Sequence, residues 1–372
     1  MPLRVLVADD SVLFRRILTE ALSTLPDVTV VGSVPNGKLA VRRVGELKPD
    51  LLTLDMEMPE MDGLAVLDAL RQAGEDTMVI VVSALTHRGG RLTMKALEKG
   101  AQDFITKPDT AGVEQSRAAI LKELAPRLRA LAHRRDIRKI LRQAPKPGVS
   151  EASAPKAATA RAAGTQSPEP IARPAPLLKP EMVLIGVSTG GPNALAQILP
   201  EIPATLGVPV LVVQHMPPIF TQSLAESLSA KCALQVCEAS HGDRAEANTV
   251  YIAPGGKQMR LVAGPGGRKI IEITDDPPEN NCKPAVDYLF RSVANNFPGR
   301  AMAVILTGMG SDGTLGLRLL KRRGCYIVAQ DEATSVVFGM PKAAIDAGVV
   351  DAVLPMEAIA GRIVASVRGC CP

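Results

Sequence analysis

The sequence predicts a protein of two α/β domains in tandem, and three observations support this fold class. The chain has 372 residues, which is more than one ordinary domain needs. Short β-branched runs alternate with amphipathic helical stretches in both halves, which is typical of a mostly parallel sheet covered by helices. Between the halves, a segment rich in Ala, Pro and Ser lacks any periodic apolar face. We therefore expect domains at residues 1–125 and 181–372, joined by a basic helix and linker at 126–180.

The composition argues against several classes of function. Lys and Arg number 43 against 38 acidic residues, and a net charge of +5 gives only weak support for nucleic-acid binding. Trp is absent and aromatic residues make up 2% of the chain, so a base-stacking surface is not expected. We therefore predict no nucleic-acid partner.

The N-terminal sequence, the lengths of the apolar runs and the cysteines together indicate the cellular location. The N-terminus lacks the layout of a signal peptide, and no apolar run is long enough to span a bilayer. The six cysteines form no metal-ligand pattern, which fits reduced thiols, and the adjacent Cys370 and Cys371 have no assigned role. We expect a cytoplasmic protein without membrane insertion.

In the first half, five strands are predicted from the segments RVLVA, VTVVGS, LLTLD, MVIVVS and DFIT. Asp9 and Asp10 end the first strand, Asp55 the third and Ser83 the fourth, while Lys107 follows the fifth. The carboxyl ends of parallel strands meet at one edge of a sheet, so these five side chains should share one rim. Crowded carboxylates favour a cation such as Mg²⁺, and the arrangement suits an aspartate that accepts a phosphoryl group.

Each of these acidic residues could instead be a helix cap or a turn residue. The stretches VADDS, TLDMEMPEMDG, VVSALT and ITKP occur in the order found in response-regulator receiver domains, which this segment resembles. The resemblance implies a flavodoxin-like parallel sheet of strand order 2-1-3-4-5, with Asp55 as phosphoacceptor and Ser83 and Lys107 as the switch pair. The Mg²⁺ ligands that it implies are Asp10, Asp55 and the backbone carbonyl of Glu57, with Asp9 assisting.

The second half predicts another α/β domain, with some antiparallel strands in its middle. The strand segments are MVLIGVS, VPVLVVQ, NTVYIAP, MRLVAG, KIIEIT, AMAVILTG, CYIVAQ and DAVL. The helical segments between them include ALAQILP, SLAESLS, AVDYLFRSVANN and GTLGLRLLKRRG. No G-x-G-x-x-G sequence opens a helix after the first of these strands, which disfavours a dinucleotide site.

Three of these strands run into polar turns that carry a nucleophile, a base and an acid. Ser188 lies in GVSTG, His215 in QHMPP and Asp312 in GMGSDG. Together these side chains suit acyl transfer, although a helix cap is the alternative for Ser188 and Asp312, and an ordinary surface or core residue for His215. The chain order Ser-His-Asp differs from that of the α/β-hydrolases, so the G-x-S-x-G match does not indicate that fold.

The whole second half resembles the catalytic domain of the chemotaxis protein-glutamate methylesterase family. The shared stretches are IGVSTGGP, VVQHMPPIFTQSLAESL, YIAPGGKQM, ILTGMGSDGTLGL and AQDEATSVVFGMPKAAI. The resemblance implies hydrolysis of glutamate methyl esters and deamidation of glutamines on methyl-accepting chemoreceptors, by Ser188, His215 and Asp312. We expect Thr189 to help position His215 and the backbone N–H of Met309 to serve the oxyanion hole. No cofactor is expected for the esterase chemistry.

The same resemblance implies control by a chemotaxis histidine kinase, which would phosphorylate Asp55 and loosen the first domain from the catalytic residues. Two alternatives remain open at the level of sequence. A response regulator with a DNA-binding output would need a basic helix-turn-helix, whereas strands and glycine turns follow the linker. An esterase or amidase with a different substrate is harder to exclude, because substrate choice depends on the surface around the cleft.

Overall fold

The computed structural model describes residues 2–108, 112–143 and 179–369. Each half of the chain forms its own sheet, so the predicted fold class is confirmed. Most of the predicted linker, as well as Cys370 and Cys371, lies outside the described residues. Among the described residues, no helix is both long enough and apolar enough to cross a bilayer.

The first sheet is fully parallel and has the predicted strand order 2-1-3-4-5. Its three central strands are apolar and almost completely buried, because helices cover both faces. The strands are β1 (Leu3–Ala8), β2 (Val28–Val34), β3 (Leu51–Asp55), β4 (Met78–Ser83) and β5 (Asp103–Thr106).

The first four helices of this domain begin with side-chain caps that the sequence provides. Ser11, Asn36, Asp62 and Thr86 each accept a hydrogen bond from the backbone N–H three residues later. The helices are α1 (Val12–Ser23), α2 (Gly37–Leu47), α3 (Gly63–Gln72), α4 (His87–Glu98) and α5 (Val113–Gln143). Helix α5 runs without interruption across the domain boundary proposed at residue 125, with Pro126 in its interior.

The second sheet has seven parallel strands in the order β14-β13-β12-β6-β7-β9-β8. One of its edge strands, β8, was not predicted, because QVCE is short and mixes polar with apolar residues. The strands of this sheet are β6 (Met182–Val187), β7 (Val210–Gln214), β8 (Gln235–Glu238), β9 (Thr249–Ile252), β12 (Ala301–Ile305), β13 (Tyr326–Gln330) and β14 (Ala352–Leu354). The antiparallel strands expected in the middle are a separate ribbon, β10 (Gln258–Ala263) and β11 (Lys269–Thr274).

Helices pack on both faces of the second sheet and bury its apolar strands. They are α6 (Gly191–Ile198), α7 (Phe220–Ser229), α8 (Val286–Asn296), α9 (Thr314–Arg322), α10 (Met340–Asp346) and α11 (Met356–Arg368). Helices α6 and α9 each begin after a glycine with positive φ, Gly190 and Gly313, and neither has a side-chain cap. A left-handed residue at these positions lets the chain turn sharply from strand to helix.

The two domains contact each other mainly through α4 and α7. The rings of Phe104, on β5, and Phe220, on α7, also stack across the interface, with centroids 4.7 Å apart and an angle of 14° between their planes. At the periphery, the Glu98 carboxylate lies 2.6 Å from Lys231 Nζ and accepts a hydrogen bond of 2.5 Å from Ser227. The two rings are buried and give the interface an apolar contact, whereas the charged pair is partly exposed, as is usual at the rim of an interface.

Candidate functional site

Ser188 occupies the sharp turn between β6 and α6. Its backbone N–H donates to the Thr307 carbonyl at 3.0 Å, and its own carbonyl accepts from Gly191 N–H at 2.8 Å and Gln214 Nε2 at 3.0 Å. The hydroxyl makes no hydrogen bond within the described part of the chain, and the residue is half-buried. The cap position of α6 belongs to Gly190, so the alternative interpretation of Ser188 as a helix cap is wrong.

His215 follows β7 directly, and its imidazole is held by Asp312. Nε2 of His215 lies 2.7 Å from Asp312 Oδ2, and the two side chains are only 13% and 3% exposed. The other ring nitrogen, Nδ1, lies 3.6 Å from the Cys282 sulfur. The structure thus brings together the predicted base and acid from loops 97 residues apart in sequence.

Asp312 is held by five hydrogen-bond donors. Besides His215, its carboxylate accepts from the backbone N–H groups of Val286 and Asp287 at 2.7 and 3.1 Å. The side-chain amide of Asn280 and the N–H of Gly313 donate to it at 2.9 and 3.0 Å. The N–H groups of Val286 and Asp287 open helix α8, where a negative charge is favoured. The cap of α9 is Gly313, so Asp312 is not the helix cap that its sequence context also allowed.

These contacts shift the pKa values of both partners. Burial alone would raise the pKa of Asp312, but its hydrogen bonds, above all the one from His215, bring it below its usual range. Burial would lower the pKa of His215, yet the hydrogen bonds to Asp312 and Cys282 outweigh it and raise this pKa to about 9. The Asp312 carboxylate is therefore ionised, as the orienting member of a triad must be.

Ser188 and His215 line the same cleft, which has a volume of about 260 Å³. One wall belongs to the second domain and includes Thr189 and Cys282. The opposite wall belongs to the first domain. The first-domain residues that line the cleft are Asp103, Phe104, Thr106, Glu123 and Arg127.

The two predicted supporting residues lie close to Ser188. Thr189 is buried in the cleft wall, and its hydroxyl makes no hydrogen bond to His215 or to any other described group. Met309 follows Gly308, where an added Cβ would come within 2.8 Å of Ser188 Cβ. The backbone N–H of Met309 donates no hydrogen bond to any of the described residues. The residue before Met309 thus approaches Ser188 closely, and the N–H of Met309 has no partner among the described residues.

Sequence reasoning missed three residues of this site. Gln214 is buried and ties the loops together by donating to the carbonyls of both Ser188 and His215. Asn280 bridges the carboxylates of Asp312 and Asp287, and Cys282 faces the imidazole. Gln214 could have been recognised from the sequence, because a polar side chain at the end of an apolar strand is unusual. The other two lie in a loop whose place in the fold no local pattern indicates.

The predicted acidic rim of the first sheet also forms. Ligand atoms of Asp9, Asp10 and Asp55 all lie within 4.8 Å of one another. Lys107 Nζ lies 2.9 Å from Asp9 Oδ2 and 2.8 Å from Asp55 Oδ2. Ser83 lines the same cleft, which measures about 230 Å³, and its hydroxyl donates to the Gly89 carbonyl at 3.2 Å.

The pKa values of two side chains in the acidic rim are shifted. Burial raises the pKa of Asp55 to about 6, even though Lys107 opposes this shift. Burial would lower the pKa of Lys107, but its bonds to Asp55 and Asp9 raise it instead. Glu57 is exposed, pairs with Arg88 at 3.0 Å, and lines the cleft beside Asp55. The carboxylates and the lysine thus surround one small polar cleft at the end of the strands.

Comparison with known proteins identifies the family. A family model described as CheB methylesterase matches residues 183–363, and one described as response regulator receiver domain matches residues 5–116. A protein-glutamate methylesterase/protein-glutamine glutaminase from Desulfotalea psychrophila is 46% identical over 98% of this chain and 99% of its own length. The chain belongs to the CheB methylesterase family. The family and the enzyme class predicted from the sequence are thereby confirmed.

The chain is also similar to a second curated relative and to two solved structures. The protein-glutamate methylesterase/protein-glutamine glutaminase of Trichodesmium erythraeum is 41% identical over 97% of this chain and 98% of its own length. The crystal structure of the Thermotoga maritima CheB methylesterase catalytic domain is 42% identical, covers 50% of this chain and 98% of its own, and has a TM-score of 0.49. The response regulator domain of Thermotoga maritima CheB is 39% identical over 35% of this chain and 95% of its own, with a TM-score of 0.32.

Proposed function

We propose that this CheB-family protein hydrolyses glutamate methyl esters, releasing methanol, and deamidates glutamines on the cytoplasmic helices of methyl-accepting chemoreceptors. The observation that carries this proposal is the 2.7 Å contact between His215 Nε2 and Asp312 Oδ2 in a cleft that also exposes Ser188. Both reactions are acyl transfers to water that differ only in the leaving group. The protein would act in the cytoplasm, where those receptor helices lie.

In the proposed mechanism, Ser188 attacks the side-chain carbonyl of the substrate. Because Asp312 engages Nε2, Nδ1 of His215 is the nitrogen that takes the serine proton. The imidazolium then gives that proton to the departing methanol or ammonia, and water hydrolyses the acyl-enzyme by the same route. Asp312 remains ionised and stabilises the imidazolium throughout. No cofactor enters these steps.

The tetrahedral intermediate needs hydrogen-bond donors for its oxyanion. The N–H of Met309 is our candidate, since it is free within the described residues and adjoins the close contact between Gly308 and Ser188. One such donor contributes roughly 3–4 kcal/mol to stabilising the transition state. Thr189, in the same wall, is the proposed positioning residue for His215.

Methanol release from methylated receptor membranes tests the proposed activity. Ser188→Ala should abolish release, because no nucleophile remains, and radiolabelled methyl groups make the loss quantitative. Ser366→Ala, in helix α11, is the matched control and should retain the wild-type rate. Substantial turnover by Ser188→Ala would contradict the assignment. Release from other esters, but not from receptors, would point to a different substrate.

We further propose that a chemotaxis histidine kinase phosphorylates Asp55. The clustered carboxylates of Asp9, Asp10 and Asp55 fit a divalent cation, since their oxygens converge within 4.8 Å. Asp10, Asp55 and the Glu57 carbonyl would hold Mg²⁺, with Asp9 assisting, and the ion supplies charge neutralisation for the incoming phosphoryl group. Lys107 would pair with a phosphoryl oxygen, and the Ser83 hydroxyl would turn towards it from Gly89.

Phosphorylation would act by loosening the first domain, which forms one wall of the catalytic cleft. In the proposed resting state, contacts such as the Phe104–Phe220 stack hold that wall in place and limit access of a receptor helix to Ser188. Asp55→Asn should keep the enzyme at its basal rate when phosphodonor is added. Asp27→Asn, an exposed aspartate of the same domain, should still respond fully. A normal response of Asp55→Asn would refute the assignment of the phosphoacceptor.

A further inference from the structure

The thiol of Cys282 has no role in the proposed hydrolysis, yet it faces the catalytic imidazole. Its sulfur lies 3.6 Å from His215 Nδ1 and 3.5 Å from the carbonyl of Asn280. The residue is half-buried and lines the cleft. One nitrogen of His215 is therefore held by a carboxylate, while the other faces a thiol.

This arrangement matches the way proteins bind zinc. A histidine that ligates a metal nearly always gives its second ring nitrogen to a carboxylate or carbonyl, which fixes the ring, as Asp312 does here. Zinc binds cysteine sulfur at about 2.3 Å and imidazole nitrogen at about 2.0–2.1 Å with tetrahedral angles, which places two such ligand atoms about 3.6 Å apart. The separation of Cys282 Sγ and His215 Nδ1 is 3.6 Å.

We propose that Cys282 Sγ and His215 Nδ1 bind Zn²⁺, with Asp312 as the carboxylate behind the histidine. Both ligand atoms bind zinc without a proton, so the thiol proton, and the Nδ1 proton of the imidazolium form, pass to solvent when the two bonds to zinc form. Water fills the coordination positions that face the cleft. The site has two protein ligands, one fewer than the three that are usual in an open zinc site and two fewer than in a closed structural one.

Such a metal site would inhibit the enzyme. The ion occupies the nitrogen that takes the proton from Ser188, so the zinc-bound form lacks its general base. This consequence rests on the proposed function, whereas metal binding itself does not. Removing the ion restores the base, which makes the inhibition reversible.

Cobalt spectroscopy tests the metal site directly on the full-length protein. Co²⁺ added to chelator-treated protein should produce a thiolate-to-cobalt absorption band that Zn²⁺ abolishes. Cys370 and Cys371 are first replaced by Ser, so that this adjacent pair contributes nothing. In that background Cys282→Ser should lose the band, and Asp312→Asn should bind 10–100-fold more weakly. Cys237→Ser, which removes a thiol remote from the cleft, should retain it.

Esterase assays in buffered zinc complete the test. Free Zn²⁺ in the micromolar range should inhibit the parent protein and a chelator should restore activity, while Cys282→Ser, compared with its own metal-free rate, should resist. Absence of the thiolate band, an unchanged band in Cys282→Ser, or equal inhibition of that variant would overturn the proposal. Ser188→Ala separates the two proposals: it should keep the band, and high activity in it would contradict only the hydrolytic mechanism.

Discussion

Gly90→Ala should activate the unphosphorylated enzyme by forcing the two domains apart. Gly90 lies on α4 where this helix meets α7, and an added Cβ would lie 2.6 Å from Ser223 Oγ and 3.7 Å from Ile219 Cγ2. Ser223 is 5% exposed, so its hydroxyl has little space to move away. Overpacking of this kind costs about 1–3 kcal/mol. The cost falls only on the closed arrangement of the domains.

That range of energies corresponds to a roughly 5- to 150-fold increase in the open population. Methanol release without phosphodonor should rise by this factor, up to the rate of the phosphorylated enzyme, and the phosphorylated rate should not change. Gly45→Ala is the matched control. It also replaces a helical glycine by alanine, on α2, but no atom lies within 4 Å of the added Cβ. Both variants gain helix propensity of about 1 kcal/mol, so this gain alone cannot explain activation.

A second substitution, Ser223→Ala, tests whether the collision with Ser223 causes the activation. Ser223→Ala removes the oxygen that collides with the new methyl group and leaves a contact of 3.4 Å with its Cβ. The double variant should therefore return to the low basal rate. Activation of Gly45→Ala to the same degree, or no activation of Gly90→Ala in a folded protein, would refute the idea that the contact between α4 and α7 holds the enzyme closed.

Three further predictions concern the base, the linker and the backbone. Asp312→Asn removes the stronger of the two hydrogen bonds, to Asp312 and Cys282, that raise the pKa of His215 to about 9, so kcat/KM measured with chelator should begin to rise at lower pH, because the proposed base is the neutral imidazole. The maximal rate should fall by about 10⁴-fold, as in a serine protease triad, and an unmoved pH profile would contradict this role for Asp312. Deleting half of residues 144–179 should leave activation by phosphodonor almost unchanged, because in the proposed regulation the interface between the domains, and not the linker, keeps them closed. Loss of activation in the shortened protein would contradict this proposal. Ile219→Gly should raise the melting temperature, because a β-branched residue at φ +73° stores about 1–3 kcal/mol of strain. Ile219→Ala keeps a Cβ and should gain much less, so an equal gain in both would rule out backbone strain as the cause.

Most of the fold could be predicted because its strands are short, apolar and separated by helical periodicity. Buried parallel strands such as β3 and β4 form continuous apolar runs in the sequence, and the candidate site residues lie at or after the ends of such runs. Strand β8 was missed because an edge strand is buried on fewer sides and carries polar residues. The predicted boundary at residue 125 falls inside α5, because the basic second half of this helix has the composition of a solvent-exposed connecting segment.

The candidate triad could be predicted from local sequence, but the residues that contact its side chains could not. Ser188, His215 and Asp312 each follow a strand, so the direction of the parallel sheet brings them to one edge. Asn280 and Cys282 reach the same place through a loop after the antiparallel ribbon, and only the folded chain puts them beside Asp312 and His215. Contacts made between distant loops leave no periodic pattern in the sequence.

The cleft that holds Ser188 and His215 has one wall on each domain, and under the proposed function this affects how the enzyme responds to its substrate. Asp103, Glu123 and Arg127 of the first domain line the same cleft as Ser188. Under the proposed function, the substrate and the first domain therefore compete for the surface around Ser188. A high local concentration of receptors would favour opening even when Asp55 is not phosphorylated. Phosphorylation and a high local concentration of receptors would then both shift the same equilibrium between the closed and the open arrangement of the domains. Their free-energy contributions to opening would add.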